Sequence, residues 1–289
     1  MHPCTGILTC PVCGEPLSWA ERALRCPRGH AFNRARQGYY HLLPVGHGRS
    51  GIRGDTREMV QARRRFLERG HFEPLSDAID AAALRLLPAR SGAFTAVEAG
   101  CGEGYYIGRL ARAVRAAAPG AAHCFIGVDV SKEAVKLAAR THGDVCFVVN
   151  DVKHRLTVAD GRVDVLLDVF APRNPGEFAR VVRPGGLLLV ALPREDHLAE
   201  LRARLPLLGI EAGKRARAIE QLDAAFELEA EQAIGYRREM AADEVLDLLG
   251  MTPNAWHLGP AARAEVAGWG SVPVTVSVLL LCFRRRAGA

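Results

Sequence analysis

The distribution of apolar residues divides this chain into an irregular N-terminal part and a longer part with regular alternation. From residue 94, apolar runs such as FTAVEAG, HCFIGVDV, VCFVVND and VDVLLDVFA alternate with amphipathic stretches such as YYIGRLARAVRAAA and KEAVKLAARTH. The apolar runs predict buried strands, and the stretches between them predict helices. Because strands that alternate with helices form a parallel sheet covered on both faces, we predict an α/β fold with a mostly parallel sheet.

Further elements are predicted on either side of this alternation. Asp55 precedes TREMVQARRRFLERG as a helix cap, with Glu58 placed as in a capping box and Gly70 at the end. A second helix is expected at about 74–87. The apolar stripe of the first helix consists of Met59, Ala62, Phe66 and Leu67.

The C-terminal third contains a short helix, a strand and a longer stretch of mixed character. GEFARVVR predicts the helix and GLLLVALP the strand. The charged stretch 197–231 is expected to be helical, and ADEVLDLLGMTP predicts a helix that ends at Gly250. VPVTVSVLLLCF is long enough for a terminal strand.

Four residues near the N-terminus have the spacing of zinc ligands. Cys10 and Cys13 form a CxxC pair, and Cys26 and His30 form a CxxxH pair. Such a Cys3His set predicts a closed, structural zinc site rather than a catalytic one. The alternatives are cysteines used by chance as small core residues, or a disulfide, which a reducing compartment disfavours. Cys4 lies outside the spacing and is expected to be incidental.

Composition and charge point to an anionic polymer as partner. The net charge is +6, and only four of the 38 basic residues are lysines. Arginine binds phosphate and stacks on bases, although an excess of Arg and Ala also arises from coding bias. The N-terminal part is strongly basic, which predicts contact with nucleic acid. The candidate residues for this contact are Arg22, Arg25, Arg28, Arg34, Arg36, Arg49, Arg53, Arg63 and Arg64.

These observations suggest three regions and a location. A zinc-binding knuckle is expected at 1–40, a linker with bridging helices at 41–90, and the α/β domain at 91–289. The sequence contains no run of 18 apolar residues, so no membrane span is predicted, and no secretory signal is evident. A cytoplasmic protein with reduced thiols is therefore expected.

The stretch VEAGCGEGYY resembles a cofactor loop between a strand and a helix. It places Glu98, Gly100, Gly102 and Gly104 at the turn. Glycines there allow the backbone to approach a ligand closely. A pyrophosphate at a helix N-terminus is incompatible with a neighbouring carboxylate, whereas a ligand with an amino group and no phosphate tolerates one. The loop therefore favours S-adenosylmethionine over NAD.

Polar residues at the ends of the next two strands fit the same ligand. Asp129 is placed to accept hydrogen bonds from both ribose hydroxyls, and Asn150 and Asp151 are placed to bond the adenine edge. As alternatives, Asp129 caps the following helix, and Asn150 and Asp151 are ordinary turn residues.

Both halves of the chain resemble one family, the bacterial methyltransferases that modify N1 of guanine in large-subunit ribosomal RNA. The resemblance covers nearly the whole chain and includes CPVC…CPRGHAFNRARQGYYHLLPV, GDTREMVQARRRFLERGHFEPL, EAGCGEGYY, GVDVSKEAVKLAAR, FAPRNPGEFARVVRPGGLLLVALP and MTPNAW. It implies a class I methyltransferase fold with a small N-terminal zinc-binding domain. It also implies zinc on the Cys3His set, an S-adenosylmethionine cofactor, and a homodimer whose zinc domains help hold a 23S rRNA hairpin. Some actinobacterial members confer resistance to tylosin-type macrolides, and the Arg-rich, Lys-poor composition favours that subgroup.

The resemblance also assigns roles to single residues. It implies cofactor contacts from Gly102 and Glu103, from His197, and from Phe72, where the family commonly has Tyr. The phenylalanine keeps the aromatic face but lacks the hydroxyl. Asn33 stands where Asp is common, outside the zinc set.

The catalytic residues are less defined. Removal of the N1 proton of guanine needs a base, a water relay or a group that stabilises the anion. Asp168 lies nearest the expected site but is also a plausible buried structural residue, and Phe170 is either a stacking platform or a core residue. Trp256 either stacks on a base or packs on the C-terminal helix, and His197 is otherwise an exposed helix cap.

Three functions compete at this point. The leading hypothesis is an RNA methyltransferase, because a zinc knuckle and basic region accompany a cofactor fold. A natural-product methyltransferase explains the fold but not the knuckle or the arginines. A non-catalytic RNA-binding protein is disfavoured by the intact glycine loop and Asp129.

Overall fold

The computed structural model describes residues 3–44, 54–86 and 94–288. In these ranges the chain forms a three-stranded sheet and an eight-stranded sheet. The small antiparallel sheet consists of β1 (Ser18–Ala20), β2 (Ala23–Arg25) and β3 (Ala31–Asn33). It corresponds to the predicted zinc knuckle, and we call residues 8–41 the zinc ribbon.

Two helices lead from the zinc ribbon to the large sheet. Helix α1 (Arg57–Glu68) buries all four residues of the predicted stripe, and α2 spans Glu73–Leu86. The predicted cap is wrong by one residue, because the Thr56 side chain accepts the hydrogen bond from the Met59 amide. Gly70 follows α1 with a φ of 75°, as a glycine at a helix end commonly does.

The predicted alternation of strands and helices is present. Short polar or glycine-containing turns separate the elements, which follow one another in the predicted order. They are β5 (Thr95–Ala99), α3 (Tyr105–Ala117), β6 (Cys124–Asp129), α4 (Lys132–Thr141), β7 (Cys146–Val149), β8 (Val163–Val169), α5 (Pro175–Val181) and β9 (Val182–Pro193).

The C-terminal part departs from the prediction between residues 197 and 231. Two short helices, α6 (Ala199–Arg204) and α7 (Lys214–Leu222), are followed by strand β10 (Phe226–Met240). The stretch FELEAE alternates apolar and charged residues with a period of two, which is a strand pattern. The expectation of helix up to residue 231 was therefore wrong, since it followed the charge and not the period.

The remaining elements close the sheet. They are α8 (Ala242–Gly250), a 3-10 helix at Pro253–Trp256, α9 (Pro260–Ala267) and β11 (Val272–Arg285). With β4 (Tyr40–His41), the large sheet has the order β10-β11-β9-β8-β5-β6-β7-β4. The pairs from β9 to β4 are parallel, whereas β11 is antiparallel to both of its neighbours. None of the helices in the described ranges is long and apolar enough to cross a bilayer.

The zinc ribbon is built into the large sheet. Strand β4 spans the predicted domain boundary at residue 40 and pairs with β7 as its edge strand. Thr9 N donates to Thr157 O, and Ala159 N donates to Ile7 O, so the N-terminal segment also pairs with the crossover that follows β7. One apolar cluster joins the ribbon to the sheet, and its members include Leu8, Leu17, Leu24, Ile126, Val148 and Leu156.

The expectation that Cys4 is incidental was wrong. Cys4 forms a disulfide with Cys124 at the start of β6, over a Cα–Cα distance of 4.9 Å. The pairing also departs from the expectation of reduced thiols throughout. It joins the segment before the zinc ribbon to the sheet on the face that the ribbon covers.

Candidate functional site

The four predicted zinc ligands lie together at one end of the zinc ribbon. The ligand atoms of Cys10, Cys13, Cys26 and His30 all lie within 4.8 Å of one another. Sγ of Cys26 is 3.3 Å from Nδ1 of His30 and 3.7 Å from Sγ of Cys13. Tetrahedral zinc, with bonds of about 2.0–2.3 Å, separates its ligand atoms by roughly 3.3–3.8 Å. The donor set therefore fits zinc in a closed, structural site.

Two turns and local hydrogen bonds prepare this site. Gly14 and Gly29, with φ values of 76° and 85°, close the turns by donating to the carbonyls of Cys10 and Cys26. Burial opposes ionisation of Cys26, but hydrogen bonds from the backbone of His30 and Arg28 and from the His30 ring lower its pKa to about 7. A thiolate is the form that binds the metal.

The glycine-rich loop connects β5 to α3. Gly100, Gly102 and Gly104 have φ values of 75°, 53° and 84°, which favour glycine. A Cβ on Gly100 would lie 2.6 Å from the Ala171 side chain, and one on Gly104 would lie 2.7 Å from the Phe147 ring. The loop is therefore closely packed as well as unusual in its backbone.

The carboxyl groups of Glu98 and Asp129 accept hydrogen bonds from backbone amides of the loop and of the helix that follows it. Glu98 is buried, and its Oε2 accepts a hydrogen bond of 2.9 Å from Ile107 N in the first turn of α3. Burial raises the pKa of Glu98 well above its ordinary value. Oδ2 of Asp129 accepts from Gly102 N at 2.9 Å, and its Oδ1 accepts from Ser131 N at 2.7 Å. The helix-cap alternative for Asp129 is wrong, because Ser131 caps α4.

Arg63 is the residue at this loop that sequence reasoning misplaced. Its guanidinium forms an ion pair with Asp55 at 2.5 Å and donates to Met251 O at 2.7 Å. A Cβ on Gly102 would lie 3.0 Å from Nη1 of Arg63. This position corrects the prediction that Arg63 lies on an RNA-binding surface. Arg63 and Gly102 are far apart in the sequence, so only the tertiary contact between them identifies the role of Arg63.

Glu103 also interacts electrostatically with Arg63. The side chain is buried, and burial raises its pKa to about 7, although Arg63 opposes the rise. Burial likewise raises the pKa of Asp129, opposed by the amides of Ser131 and Gly102. Three carboxyl groups, those of Asp55, Glu103 and Asp129, thus surround one guanidinium at the loop. This excess of acid suits a ligand with a positive charge.

Asn150 and Asp151 follow β7 and are both buried. Asn150 N donates to Asp129 O at 3.1 Å, so the predicted adenine-binding pair adjoins the predicted ribose-binding carboxylate. Asn150 Nδ2 donates to Leu42 O at 3.3 Å, and Asp151 Oδ1 accepts from Lys153 N at 2.9 Å. Each side chain also serves a local turn, and their binding role stays a prediction.

Three aromatic rings meet beside the carboxyl ends of β8 and β9. The ring centroids of Phe72, Phe170 and His197 lie 6.0–6.4 Å apart, and Phe170 stacks on His197. Phe72 is buried, whereas Phe170 is 40% exposed with a φ of 56°. Phe170 is therefore not a core residue. An exposed ring in a strained backbone conformation at a sheet edge is a common feature of functional sites.

His197 is a neutral ring that accepts a hydrogen bond in this cluster. The side chain is buried, which excludes the exposed-cap alternative. Its Nδ1 accepts from Ser277 N at 3.1 Å, so the ring proton is on Nε2. Burial, assisted by Arg202, lowers the pKa of His197 to about 4.

Asp168 is a buried carboxyl at the end of β8. It is 1% exposed, and neither of its oxygens has a hydrogen-bond partner of normal geometry in the described ranges. Burial raises the pKa of Asp168 to about 7, and Arg173 and the Ala171 backbone amide only partly oppose this. A carboxyl that changes charge near neutral pH is suited to accept a proton.

The predicted RNA-binding residues have different surroundings. Arg22, Arg25, Arg28, Arg34 and Arg36 are exposed on the zinc ribbon. Arg64 pairs with Glu68 on the surface of α1, and Trp256 is 55% exposed. Arg49 and Arg53 lie outside the described residues.

Comparisons with known proteins match both halves of the chain. Residues 8–51 match the zinc-ribbon family described as RlmA, N-terminal, and residues 96–186 match a methyltransferase domain. A chain in the complex of the Haloferax volcanii Trm112 methyltransferase activator with a putative methyltransferase has a TM-score of 0.50. That likeness covers 82% of this chain and 100% of that chain at 21% identity, and it shows the fold alone.

Relatives match along nearly the whole length. The chain is 42% identical to a putative 23S rRNA (guanine-N(1)-)-methyltransferase of Micromonospora griseorubida, over 99% of each chain. It is 38% identical to the 23S rRNA (guanine(748)-N(1))-methyltransferase of Streptomyces fradiae, over 93% of this chain and 94% of the relative. A putative 23S rRNA (guanine-N(1)-)-methyltransferase of Bacillus subtilis is 32% identical, over 94% and 95%.

Proposed function

The chain belongs to the bacterial family of 23S rRNA (guanine-N1)-methyltransferases, and we propose that it transfers a methyl group from S-adenosylmethionine to N1 of a guanine in 23S rRNA. The observation that carries this proposal is the presence of the family's zinc ribbon and methyltransferase domain in one chain, at 38–42% identity over most of its length. Neither a natural-product methyltransferase nor a non-catalytic RNA-binding protein accounts for these matches.

The residues at the carboxyl edge of the sheet fit the cofactor. When bound, S-adenosylmethionine supplies an electrophilic methyl group on a sulfonium, so the transfer depends on alignment with the acceptor. Glycines 100, 102 and 104 keep side chains away from the loop, and Asp129 offers a carboxylate to ribose hydroxyls. The acidic surroundings of Arg63 stabilise a cationic ligand more than a neutral one.

We assign the proton chemistry to Asp168. Neutral guanine carries a proton on N1, and this proton must leave before or during the transfer. Asp168 is the buried carboxyl without a normal hydrogen bond that lies two residues before the exposed Phe170 ring. In its ionised form it accepts the N1 proton, and the raised pKa makes the resulting carboxylic acid stable near pH 7.

We assign the positioning of the guanine to the aromatic cluster. A base that reacts must leave its stack, and an aromatic platform compensates for the lost stacking. The exposed face of Phe170 is such a platform, and the buried Phe72 and His197 rings support it from behind. The neutral imidazole adds a fixed Nε2 proton to this wall without adding charge.

RNA recognition is proposed for the basic face of the zinc ribbon. Its exposed arginines are suited to contact phosphates, which provide affinity and position but little sequence information. We further propose a homodimer that acts in the cytoplasm and methylates the guanine named in the Streptomyces fradiae relative, position 748. Resistance to tylosin-type macrolides is then the expected phenotype.

The test is tritium transfer from labelled S-adenosylmethionine to 23S rRNA transcripts, followed by primer-extension mapping of the product. A single stop at guanine 748, absent from a transcript with adenine there, is expected. Label that enters small molecules but never RNA would refute the proposal. Light scattering measures the dimer, and macrolide susceptibility of a host with and without the gene measures the phenotype.

A further inference from the structure

Residues 170–174 connect β8 to α5 and adjoin both halves of the candidate site. Phe170 presents its exposed ring at one end of this loop, and Asn174 caps α5 at the other end. Between them, the Ala171 side chain packs so close to the cofactor loop that a Cβ on Gly100 would lie 2.6 Å from it. The loop therefore lies between the cofactor loop and the proposed platform for the guanine.

Arg173 is the arginine of this loop, and most of its donors are free. Its Nε donates to Oε1 of Gln221 on α7 at 3.1 Å, whereas neither Nη group has a hydrogen bond or an ion pair in the part of the chain that the structure describes. Arg180, the next arginine along the chain, is fully occupied, because its guanidinium bonds Glu177, Asp160 and two backbone carbonyls. Arg180 thus stabilises the fold, and Arg173 keeps the donors of both Nη groups for a ligand.

The carboxyl of Asp168 is a second group without a partner beside this loop. Among the described residues, neither of its oxygens has a hydrogen bond of normal geometry. Burial raises the pKa of Asp168, and the positive charge of Arg173 opposes the rise, yet the two side chains form no ion pair within those ranges. An acceptor and a donor that interact electrostatically without bonding each other are suited to a ligand that carries a donor beside an acceptor.

Guanine has this combination on its Watson–Crick edge, where the N1–H donor adjoins the O6 acceptor. Adenine has the opposite combination, because its N1 is an acceptor and its amino group at C6 is a donor. Arginine is the side chain that most often donates to guanine O6 in complexes with nucleic acids. A cation beside O6 also stabilises the negative charge that develops there when N1 loses its proton.

We propose that Arg173 is a catalytic and specificity-determining residue, which donates to O6 of the target guanine while Asp168 faces the N1 proton. The inference rests on the proposed function and names the group that recognises the base. In the proton transfer the N1–H bond breaks, the proton goes to a carboxylate oxygen of Asp168, and the electron pair left on the purine is shared by N1 and O6. The guanidinium then binds the negative oxygen, and Gln221 holds it through Nε and leaves the Nη groups to the base.

The first experiment measures single-turnover methylation of the 23S rRNA transcript by the full-length, zinc-loaded protein. Arg173→Gln should lower the rate constant at saturating transcript by about 10²- to 10³-fold, as loss of one oxyanion donor does, and Arg173→Lys, which keeps the charge, by about tenfold. Transcript affinity, measured by filter binding, should stay as in the wild type, because the contact strengthens only as O6 becomes negative. Arg162→Gln, which changes an exposed arginine just before β8 at the opposite edge of the sheet, is the matched control and should change neither quantity.

The second experiment tests the contact with O6 itself. A synthetic hairpin carries either guanine or 6-thioguanine at the mapped target position, and the sulfur of the latter accepts hydrogen bonds more weakly than oxygen. The ratio of the two methylation rates should be higher in the wild type than in Arg173→Gln by about tenfold or more, because only the wild type has a donor to O6 to lose. The different acidity of the two bases affects both proteins equally and cancels in this comparison.

The outcomes separate this inference from the function on which it rests. If Arg173→Gln weakens transcript binding and leaves the rate constant at saturation unchanged, Arg173 contacts a phosphate and the inference is overturned. It is overturned as well if Arg173→Gln behaves like Arg162→Gln, or if the wild type and Arg173→Gln distinguish the two bases to the same extent. Should Arg173→Gln fail to fold, Arg173→Met, which keeps an unbranched stem, replaces it in both experiments. If the wild type itself methylates no transcript, the proposed function fails instead.

Discussion

Glycines with positive φ shape both the zinc ribbon and the cofactor loop, but for different reasons. In the ribbon, a Cβ on Gly14 or Gly29 would meet nothing within 4 Å. In the loop, a Cβ on Gly100 or Gly104 would lie 2.6 or 2.7 Å from a neighbouring side chain. The first pair therefore provides only a backbone conformation, whereas the second pair also provides room.

This difference shows what stabilises each region. The small sheet of the ribbon has strands of three residues, which are too short to be stable alone, so the metal ligands must hold its shape. The loop is held by close packing and by the Asp129 carboxylate within a large sheet. Loss of the metal should thus disturb the ribbon first, and added volume should disturb the loop first.

The largest effect is expected from removal of a zinc ligand. Cys26→Ser should lose the metal, because a hydroxyl is a poor substitute for a thiolate, and rRNA methylation should become undetectable. Metal analysis and tritium transfer are the measurements. Cys282→Ser, which changes a buried thiol outside the metal site, should keep both zinc and activity. Full zinc content in Cys26→Ser would show that packing against the sheet holds the ribbon without this ligand.

The next largest effect is expected from removal of the Asp168 carboxyl at the end of β8. Asp168→Asn should lower kcat by about 10²- to 10⁴-fold, as expected for loss of a general base, with little change in KM for S-adenosylmethionine. In the wild type, kcat should fall as the pH drops below about 7, because the carboxyl becomes protonated, and the variant should lack this limb. Pre-steady-state methyl transfer from pH 5.5 to 8.5 measures both.

The same substitution has an opposite effect on stability. The folded-state pKa of Asp168 is raised, so the folded protein binds more protons than the unfolded chain between about pH 4 and 7. Stability therefore falls as the pH rises through this window, and Asp168→Asn should unfold at a higher temperature than the wild type at pH 8. A lower melting temperature there would mean that the carboxylate stabilises the fold.

A smaller effect should separate the two kinds of glycine. Both Gly14→Ala and Gly104→Ala place a Cβ at positive φ, which costs about 1–2 kcal/mol. Gly104→Ala should cost about 1–3 kcal/mol more, because its Cβ overlaps the Phe147 ring. Urea denaturation measures the free energy of unfolding. Equal losses in the two variants would show that the loop is less tightly packed than its contacts indicate.

The smallest effect is expected on the exposed face of the zinc ribbon. The double substitution of Arg22 and Arg25 by Ala should weaken rRNA binding several-fold and reduce its salt dependence, because phosphate contacts release counterions. Zinc content, melting temperature and S-adenosylhomocysteine affinity should stay as in the wild type. Filter binding at several salt concentrations measures the change, and an unaltered salt slope would place the RNA elsewhere.

The sequence predicted most of the fold because its signals are local. The apolar runs form strands β5 to β9, which alternate with helices as expected. The predicted apolar stripe of α1 is buried. Strand β10 lies where a helix is predicted, because the many charges of FELEAE resemble a helix surface although its period of two is that of a strand. Both Asp55 and Thr56 are of residue types that cap helices well, so the sequence does not distinguish them; in the structure Thr56 caps α1 and Asp55 pairs with Arg63.

The sequence by itself determined the chemistry of the two regions: the spacing of Cys10, Cys13, Cys26 and His30, and the glycine loop with the acidic strand ends. Ligand spacing and turn glycines can be read from neighbours in the chain, because both act over a few residues. Only the tertiary structure decided that Arg63 faces the loop, that Cys4 pairs with Cys124, and that the zinc ribbon covers the crossover after β7. Those contacts join residues more than 30 positions apart, and they depend on how the sheet brings its edges together.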